Sequence, residues 1–282
     1  MTLVVEKTTG IGFCFGVKSC IDILEKFAQE RGQVESLGAP VHNQQVLDRL
    51  AHRGIRIASK VDEIQGNIAA ISAHGVGPLV EAELRSRCNE VIDTTCPFVH
   101  RAQITARRLA EAGFFVIVYG EANHPEVKGI LGWANGHGVA TLEHDFTLTH
   151  QLSRRLGILS QTTSILSHFV EFAKEVIDSA LVRDAEIRII DTICHDIRER
   201  QQAALDLARR VELMLVIGSR TSANTKHLIE LCATATKTHL LETVEEIQPA
   251  WFQNCRHVGV TSGASTPEET INQVLAKLKT MA

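Results

Sequence analysis

Three cysteines divide this chain at a regular interval. Cys14, Cys96 and Cys194 are each followed 24 residues later by a glycine, Gly38, Gly120 and Gly218, and 28 residues later by a polar residue, His42, His124 and Ser222. Between cysteine and glycine, each copy carries a stretch of helical period and then a short apolar run. Self-similarity at a fixed offset means one supersecondary unit repeated, so the chain must fold as three related lobes. Each copy then offers a second apolar run with its own polar tip: "SAHGV" with His74, "SQTTS" with Thr162 and Thr163, and "TSGAST" with Ser265.

The runs Gln33–Leu37, Ile68–Ser72, Phe114–Tyr119, Leu156–Leu159, Leu213–Ile217 and His257–Thr261 are short, apolar or β-branched, and closed by Gly or Ser, which predicts strands. Amphipathic stretches at Ile21–Arg31, Ala102–Ala112 and Gln201–Arg210 predict helices, the last with paired arginines suited to a helix C-terminus. Strand and helix alternate throughout, so the fold class is α/β: three pseudo-threefold-related lobes, a trefoil, with small, mostly parallel sheets. The repeat sets their limits at 14–95, 96–191 and 192–282, with residues 1–13 joining the third lobe.

With 282 residues and 44% apolar content the chain can bury a core, and its dispersed basic residues and net charge of −4 argue against a nucleic-acid or membrane partner. No run of 18 apolar residues and no basic, signal-like N-terminus is present, which points to a cytoplasmic protein. Seven cysteines in a chain of this size fit reduced thiols or metal ligands better than a disulfide framework.

A pseudo-threefold arrangement brings Cys14, Cys96 and Cys194 to the centre, with the polar tips ringing a common cavity beyond the carboxyl ends of the strands. A thiol just before a helix start sees the positive end of the helix dipole, which favours the metal-binding thiolate. Three soft ligands separated by 82 and 98 residues leave two metals open: zinc completed by a histidine, or an iron–sulfur cluster with one iron not held by the protein. Cys20, Cys88, Cys232 and Cys255 read as inert core cysteines. His52, His137, His144, His150, His168, His239 and His257 read as surface or hydrogen-bonded fillers. His42, His74 and His124 stand apart because each sits at a strand tip beside Asn, Gly or Pro. Together with Ser222, Asn224 and Ser265 they suit a polyanion such as a diphosphate, although Ser and Asn in such loops also serve as ordinary helix caps. No Walker or dinucleotide fingerprint is present.

"GFCFGV", "HN" at 42–43, "SAHGV", "TTCPFV", "NHPEVKG", "SQTT", "DTIC…RQ" with Arg200 and Gln201, "GSRTSAN" and "GVTSGASTPE" occur in one order over nearly the whole chain. In this the chain resembles the LytB-type 4-hydroxy-3-methylbut-2-enyl diphosphate reductase family. The resemblance implies a trefoil around a [4Fe–4S] cluster on Cys14, Cys96 and Cys194. It implies diphosphate binding by His42, His74, His124, Ser222, Asn224 and Ser265, with Glu126 handling protons beside the substrate hydroxyl together with Thr162. An external electron donor of the ferredoxin or flavodoxin kind follows from the same resemblance. Reductive loss of a hydroxyl also needs an acid on chemical grounds, and a cavity carboxyl of raised pKa is suited to that work. Three stretches depart from the family pattern: Asp196-Ile197 after the third cysteine, His100–Gln103 after the second, and Ala223 in the "SAN" loop. They keep open a paralogue acting on another small anion, as reductase or hydro-lyase, and an iron–sulfur redox sensor remains the non-catalytic alternative.

Overall fold

The computed structural model describes residues 3–143, 153–181 and 184–281. His144 and His150 lie outside these. Two compact units are present: Met1–Lys18 with Val41–Arg49 and His195–Ala282, and Ser19–Pro40 with Leu50–Cys194.

The strands are β1 (Val4–Lys7), β2 (Val34–Leu37), β3 (Ile55–Ala58), β4 (Ile68–Ile71), β5 (Glu90–Asp93), β6 (Phe115–Tyr119), β7 (Gly138–Thr141), β8 (Arg155–Ser160), β9 (Glu186–Ile190), β10 (Leu213–Ile217), β11 (Lys237–Leu241) and β12 (His257–Ser262). Among the described residues the helices are α1 (Phe15–Arg31), α2 (Gln44–His52), α3 (Pro78–Arg87), α4 (Pro97–Glu111), α5 (Pro125–Trp133), α6 (Leu166–Leu181), α7 (His195–Ala208), α8 (Ala223–Ala233) and α9 (Glu268–Thr280). No helix among the described residues is long and apolar enough to cross a membrane.

The first unit holds one four-stranded sheet, β1-β12-β10-β11, and the second holds two, β3-β2-β4-β5 and β7-β6-β8-β9. Every pairing is parallel, as the alternation of strand and helix predicts. One strand order recurs in all three, with β1 as the fourth strand of the sheet built from residues near the C-terminus. The six strands expected from the sequence are the inner pair of each sheet. In β6 and β10 the run is continuously apolar, as for a strand covered by helices on both faces, whereas β2 buries Glu35 and Ser36 between Val34 and Leu37. In β10, Leu213, Leu215 and Ile217 enter one core cluster while Met214 and Val216 enter another with Leu207 and Leu228. In β6, Val116 and Val118 face one cluster, and Ile117 and Tyr119 the other.

The outer strands β1, β3, β5, β7, β9 and β11 escape sequence reading because edge positions tolerate polar residues. β9 has no fully buried residue. Helix starts differ as well. α1, α4 and α7 begin directly after the three cysteines, six, five and six residues ahead of the expected starts. The last ends at Ala208, so Arg209 and Arg210 lie beyond the helix rather than in its final turn.

The repeat glycines share one bond and differ in why they are glycines. Gly38, Gly120 and Gly218 donate their N–H to Ala58, Thr141 and Leu241, in each sheet the strand beside the one that has just ended. Gly38 has φ +77°, a left-handed conformation that disfavours side chains. A Cβ at Gly120 would lie 2.8 Å from the Gln161 Cβ, and one at Gly218 would lie 2.6 Å from the Thr225 hydroxyl.

Candidate active site

Each cysteine is fastened by its own amide. The N–H groups of Cys14, Cys96 and Cys194 donate to the carbonyls of Ala264, Ala73 and Thr162 at 3.0, 3.0 and 2.9 Å. Each acceptor stands two residues beyond the end of β12, β4 or β8. Around Cys96 and Cys194 the approach is tightened by an aspartate three residues earlier. Asp93 accepts from the Thr95 N–H at 2.9 Å, and Asp191 from the Ile193 N–H at 3.0 Å. All three cysteines are free thiols. The Val17 N–H reaches the Cys14 sulfur at 3.4 Å. Burial nonetheless pushes the Cys14 thiol up, with the Val17 and Gly16 amides and Arg200 pulling the other way. A positively charged metal reverses that balance, since it is what deprotonates a coordinating thiol. Soft sulfur donors on backbone-locked loops, each at a helix start, fit a thiolate-held cluster.

In the second unit, His74, His124, Glu126 and Thr162 form one group. His124 is the N-cap of α5 and its Nδ1 accepts from the Glu126 N–H at 3.2 Å. A neutral ring then carries its proton on Nε2. His74 meets the His124 ring edge-on, with centroids 5.4 Å apart. Glu126 is 3% exposed. One of its oxygens accepts from the Thr162 N–H at 2.7 Å and the other from the Thr162 hydroxyl at 2.9 Å. Burial raises its pKa from 4.5 to about 7, and the two Thr162 bonds offset only part of that. Capping of α5 falls to His124, so the Glu126 carboxyl takes no part in the cap and is engaged by Thr162 instead.

Two residues passed over by the sequence argument hold this group. Gln161 accepts from the Glu121 N–H at 3.1 Å and packs on Gly120. Gln103, one of the departures, donates to the Val76 carbonyl at 3.4 Å, and Trp133 donates to that same oxygen at 3.0 Å, pinning the loop after His74. A cavity of about 600 Å³ adjoins it, lined by Ser72, Gly75, Asn123 and Pro125 among others.

In the first unit, Ser222 caps α8 by accepting from the Thr225 N–H at 3.4 Å, so the capping role foreseen for this loop holds there. Its hydroxyl proton remains available to donate. Asn224 and Ser265 are different. Both are buried, at 4% and 7% exposure, and neither the Asn224 amide nor the Ser265 hydroxyl has a hydrogen-bond partner among the described residues. Their loops meet: Thr225 lies against Gly218 and Gly263, and the Gly263 N–H donates to the Ile217 carbonyl at 2.8 Å. Buried polar groups are rarely left unbonded, so donors at a helix N-terminus without a protein partner fit an anionic ligand. His42 follows the β2 tip, and its neighbour Asn43 accepts from the Val46 N–H at 3.2 Å at the start of α2.

The described geometry defines an α/β protein with three parallel sheets of one strand order, carrying a buried carboxyl whose pKa is raised to about 7 and buried amide and hydroxyl groups of the kind that bind anions. The chain belongs to the LytB protein family, whose sequence model matches residues 5–279. It is 59% identical over 275 residues to the 4-hydroxy-3-methylbut-2-enyl diphosphate reductase of Dehalococcoides mccartyi strain CBDB1, with 97% of each chain covered. Identity to the enzyme of that name from Geobacter metallireducens is 40% over 269 residues, covering 95% of this chain and 94% of the other. A solved (E)-4-hydroxy-3-methyl-but-2-enyl diphosphate reductase, described as the terminal enzyme of the non-mevalonate pathway, is 36% identical, matches 99% of this chain and 100% of its own, and superposes with a TM-score of 0.70. The E-1-hydroxy-2-methyl-but-2-enyl-4-diphosphate reductase of Plasmodium falciparum has a TM-score of 0.92 at 23% identity, over 98% of this chain and 88% of its own, a likeness of fold.

Proposed function

We propose that this chain is a 4-hydroxy-3-methylbut-2-enyl diphosphate reductase that removes the substrate hydroxyl reductively to give isopentenyl and dimethylallyl diphosphate. The observation that carries the reading is Glu126: a carboxyl inside a polar group of residues, protonated in part near neutrality and held by both of its oxygens. Loss of a hydroxyl as water requires a proton donor of that pKa. Thr162 orients the acid, and its own hydroxyl lies within reach of the same site.

His42, His74, His124, Ser222, Asn224 and Ser265 are assigned to the diphosphate. Support comes from the partnerless Asn224 and Ser265 donors and from the Nε2 proton that the His124 capping bond enforces. Cys14, Cys96 and Cys194 are the residues that would hold a [4Fe–4S] cluster. That cluster would supply single electrons and one iron free to act as a Lewis acid. The electrons are assigned to a separate donor of the ferredoxin or flavodoxin kind, as the family resemblance implies. We assign three lobes, 14–95, 96–191 and 192–282 with residues 1–13 in the third; the recurring strand order and the matching cysteine bonds support that division. A cytoplasmic location suits a protein whose ligands are reduced thiols.

Anaerobic turnover of the allylic diphosphate with and without a one-electron reductant tests the function. Reductant-dependent formation of both five-carbon diphosphates is expected. Dehydration without reductant would instead make the protein a hydro-lyase, and absence of both turnover and binding would leave a redox sensor. For the anion site, His74→Phe keeps the ring's volume and removes its hydrogen bonding. Substrate affinity measured by calorimetry should weaken by about 1.5–3 kcal/mol, the worth of one bond to a charged group. An unchanged dissociation constant would assign the histidine to packing alone.

A further inference from the structure

The three cysteine loops are not built alike. Asp93 and Asp191, three residues before Cys96 and Cys194, fold their loops by accepting a backbone N–H. At that place before Cys14 stands Ile11, which has no acceptor, and the loop also contains Gly10 and Gly12 with φ of +68° and +92°. Glycines in left-handed conformations bring little intrinsic stiffness, so this loop must be fixed from outside. Its amide side is held by Ser262, which accepts from the Gly12 N–H at 2.8 Å, and by the Ala264 carbonyl bonded to Cys14.

The carbonyl side is held by Arg200. Its guanidinium donates to the Gly12 carbonyl at 2.7 Å and to the Phe13 carbonyl at 3.2 Å. The side chain is 7% exposed, and its Cγ would touch a Cβ at Gly10 at 3.5 Å. A buried guanidinium needs a counter-charge. Asp196, one turn earlier on α7, supplies it: Arg200 Nε donates to the carboxylate at 3.1 Å.

We propose that Arg200, held by Asp196, is a positioning residue for Cys14, doing from the carbonyl side what Asp93 and Asp191 do for the other two loops. The inference rests on the functional reading only in taking Cys14 as a metal ligand. Arg200 presents two parallel donors in a planar fork, which a lysine cannot reproduce.

The test uses the full chain purified without cluster reconstitution, treated with a thiol-alkylating reagent under native conditions and mapped by peptide mass. The quantity read is the ratio of modification rates at Cys14 and Cys96. In Arg200→Met that ratio should rise on the order of tenfold, as expected when charge-assisted bonds worth about 1.5 kcal/mol or more cease to oppose local opening. Asp196→Ala should raise it less, and Arg200→Lys should restore it only in part. Cluster-loaded protein provides a second readout: iron should pass to a chelator faster from Arg200→Met than from wild type. An unchanged ratio in folded Arg200→Met, or equal acceleration at both cysteines, would overturn the proposal. Should Arg200→Met fail to fold, Arg200→Lys decides by the same ratio, since a wild-type value there means that the fork is not needed. A wild-type protein with neither cluster nor turnover would end the functional reading while leaving this ratio interpretable.

Discussion

Serine in place of Cys14, Cys96 or Cys194 should leave a folded protein that has lost most of its iron and, with it, reductive turnover. Each cysteine begins a helix and is fastened through its backbone N–H, a bond that serine keeps. The substitution therefore removes a soft ligand without removing the loop anchor, which makes iron content rather than stability the expected casualty. Cys232→Ala is the control. Cys232 is fully buried in a core cluster with Leu207 and Leu228, and burial pushes its thiol up to about 12, so it is packing material. That variant should keep wild-type iron per chain. Iron and visible absorption, measured anaerobically after reconstitution, decide the matter, and equal content in all four variants would remove the basis for the site.

Glu126→Gln should retain the cluster and bind substrate while losing turnover by about 10²–10⁴-fold, the usual contribution of a positioned general acid. Glutamine keeps the shape and can still accept from Thr162, but it has no proton to give. Single-turnover oxidation of the pre-reduced variant, normalised to iron, isolates this step, and wild-type product formation would remove Glu126 as proton donor. The pH dependence follows from the raised pKa. In the folded protein the acid is protonated below about pH 7, so donation should decline as pH rises past it. Stability has the same sign. Because the folded pKa exceeds the unfolded value near 4.5, this group's contribution is complete below about 4.5 and is lost as pH rises through about 7. At most about 3 kcal/mol is involved. Urea unfolding of wild type against Glu126→Gln at pH 5 and pH 8 should show the wild type losing stability relative to the variant.

Much of this was legible in one dimension. A cysteine and a glycine 24 residues apart in three copies, with short, largely apolar inner strands alternating with helices, determine three parallel sheets. Local chemistry also announces the polar tips, since Gly, His-Pro and Ser-Ala-Asn after an apolar run can only be turns leading into helices. What each tip side chain does was decided elsewhere. Glu126 looks like any acid in a first helical turn, and only Thr162, 36 residues away on another strand tip, together with the packing around both, makes it a buried acid near neutrality. Arg200 reads as one charge on an amphipathic helix until the fold sets it on carbonyls 188 and 187 residues distant. The edge strands belong with these, since β1 becomes a strand by pairing with β12, at the other end of the chain. Periodicity and composition record which face a residue turns inward, a local property that every residue carries. A pKa, a clamp and an edge pairing depend on which distant atoms share that interior, and that is settled only when the sheets and helices pack.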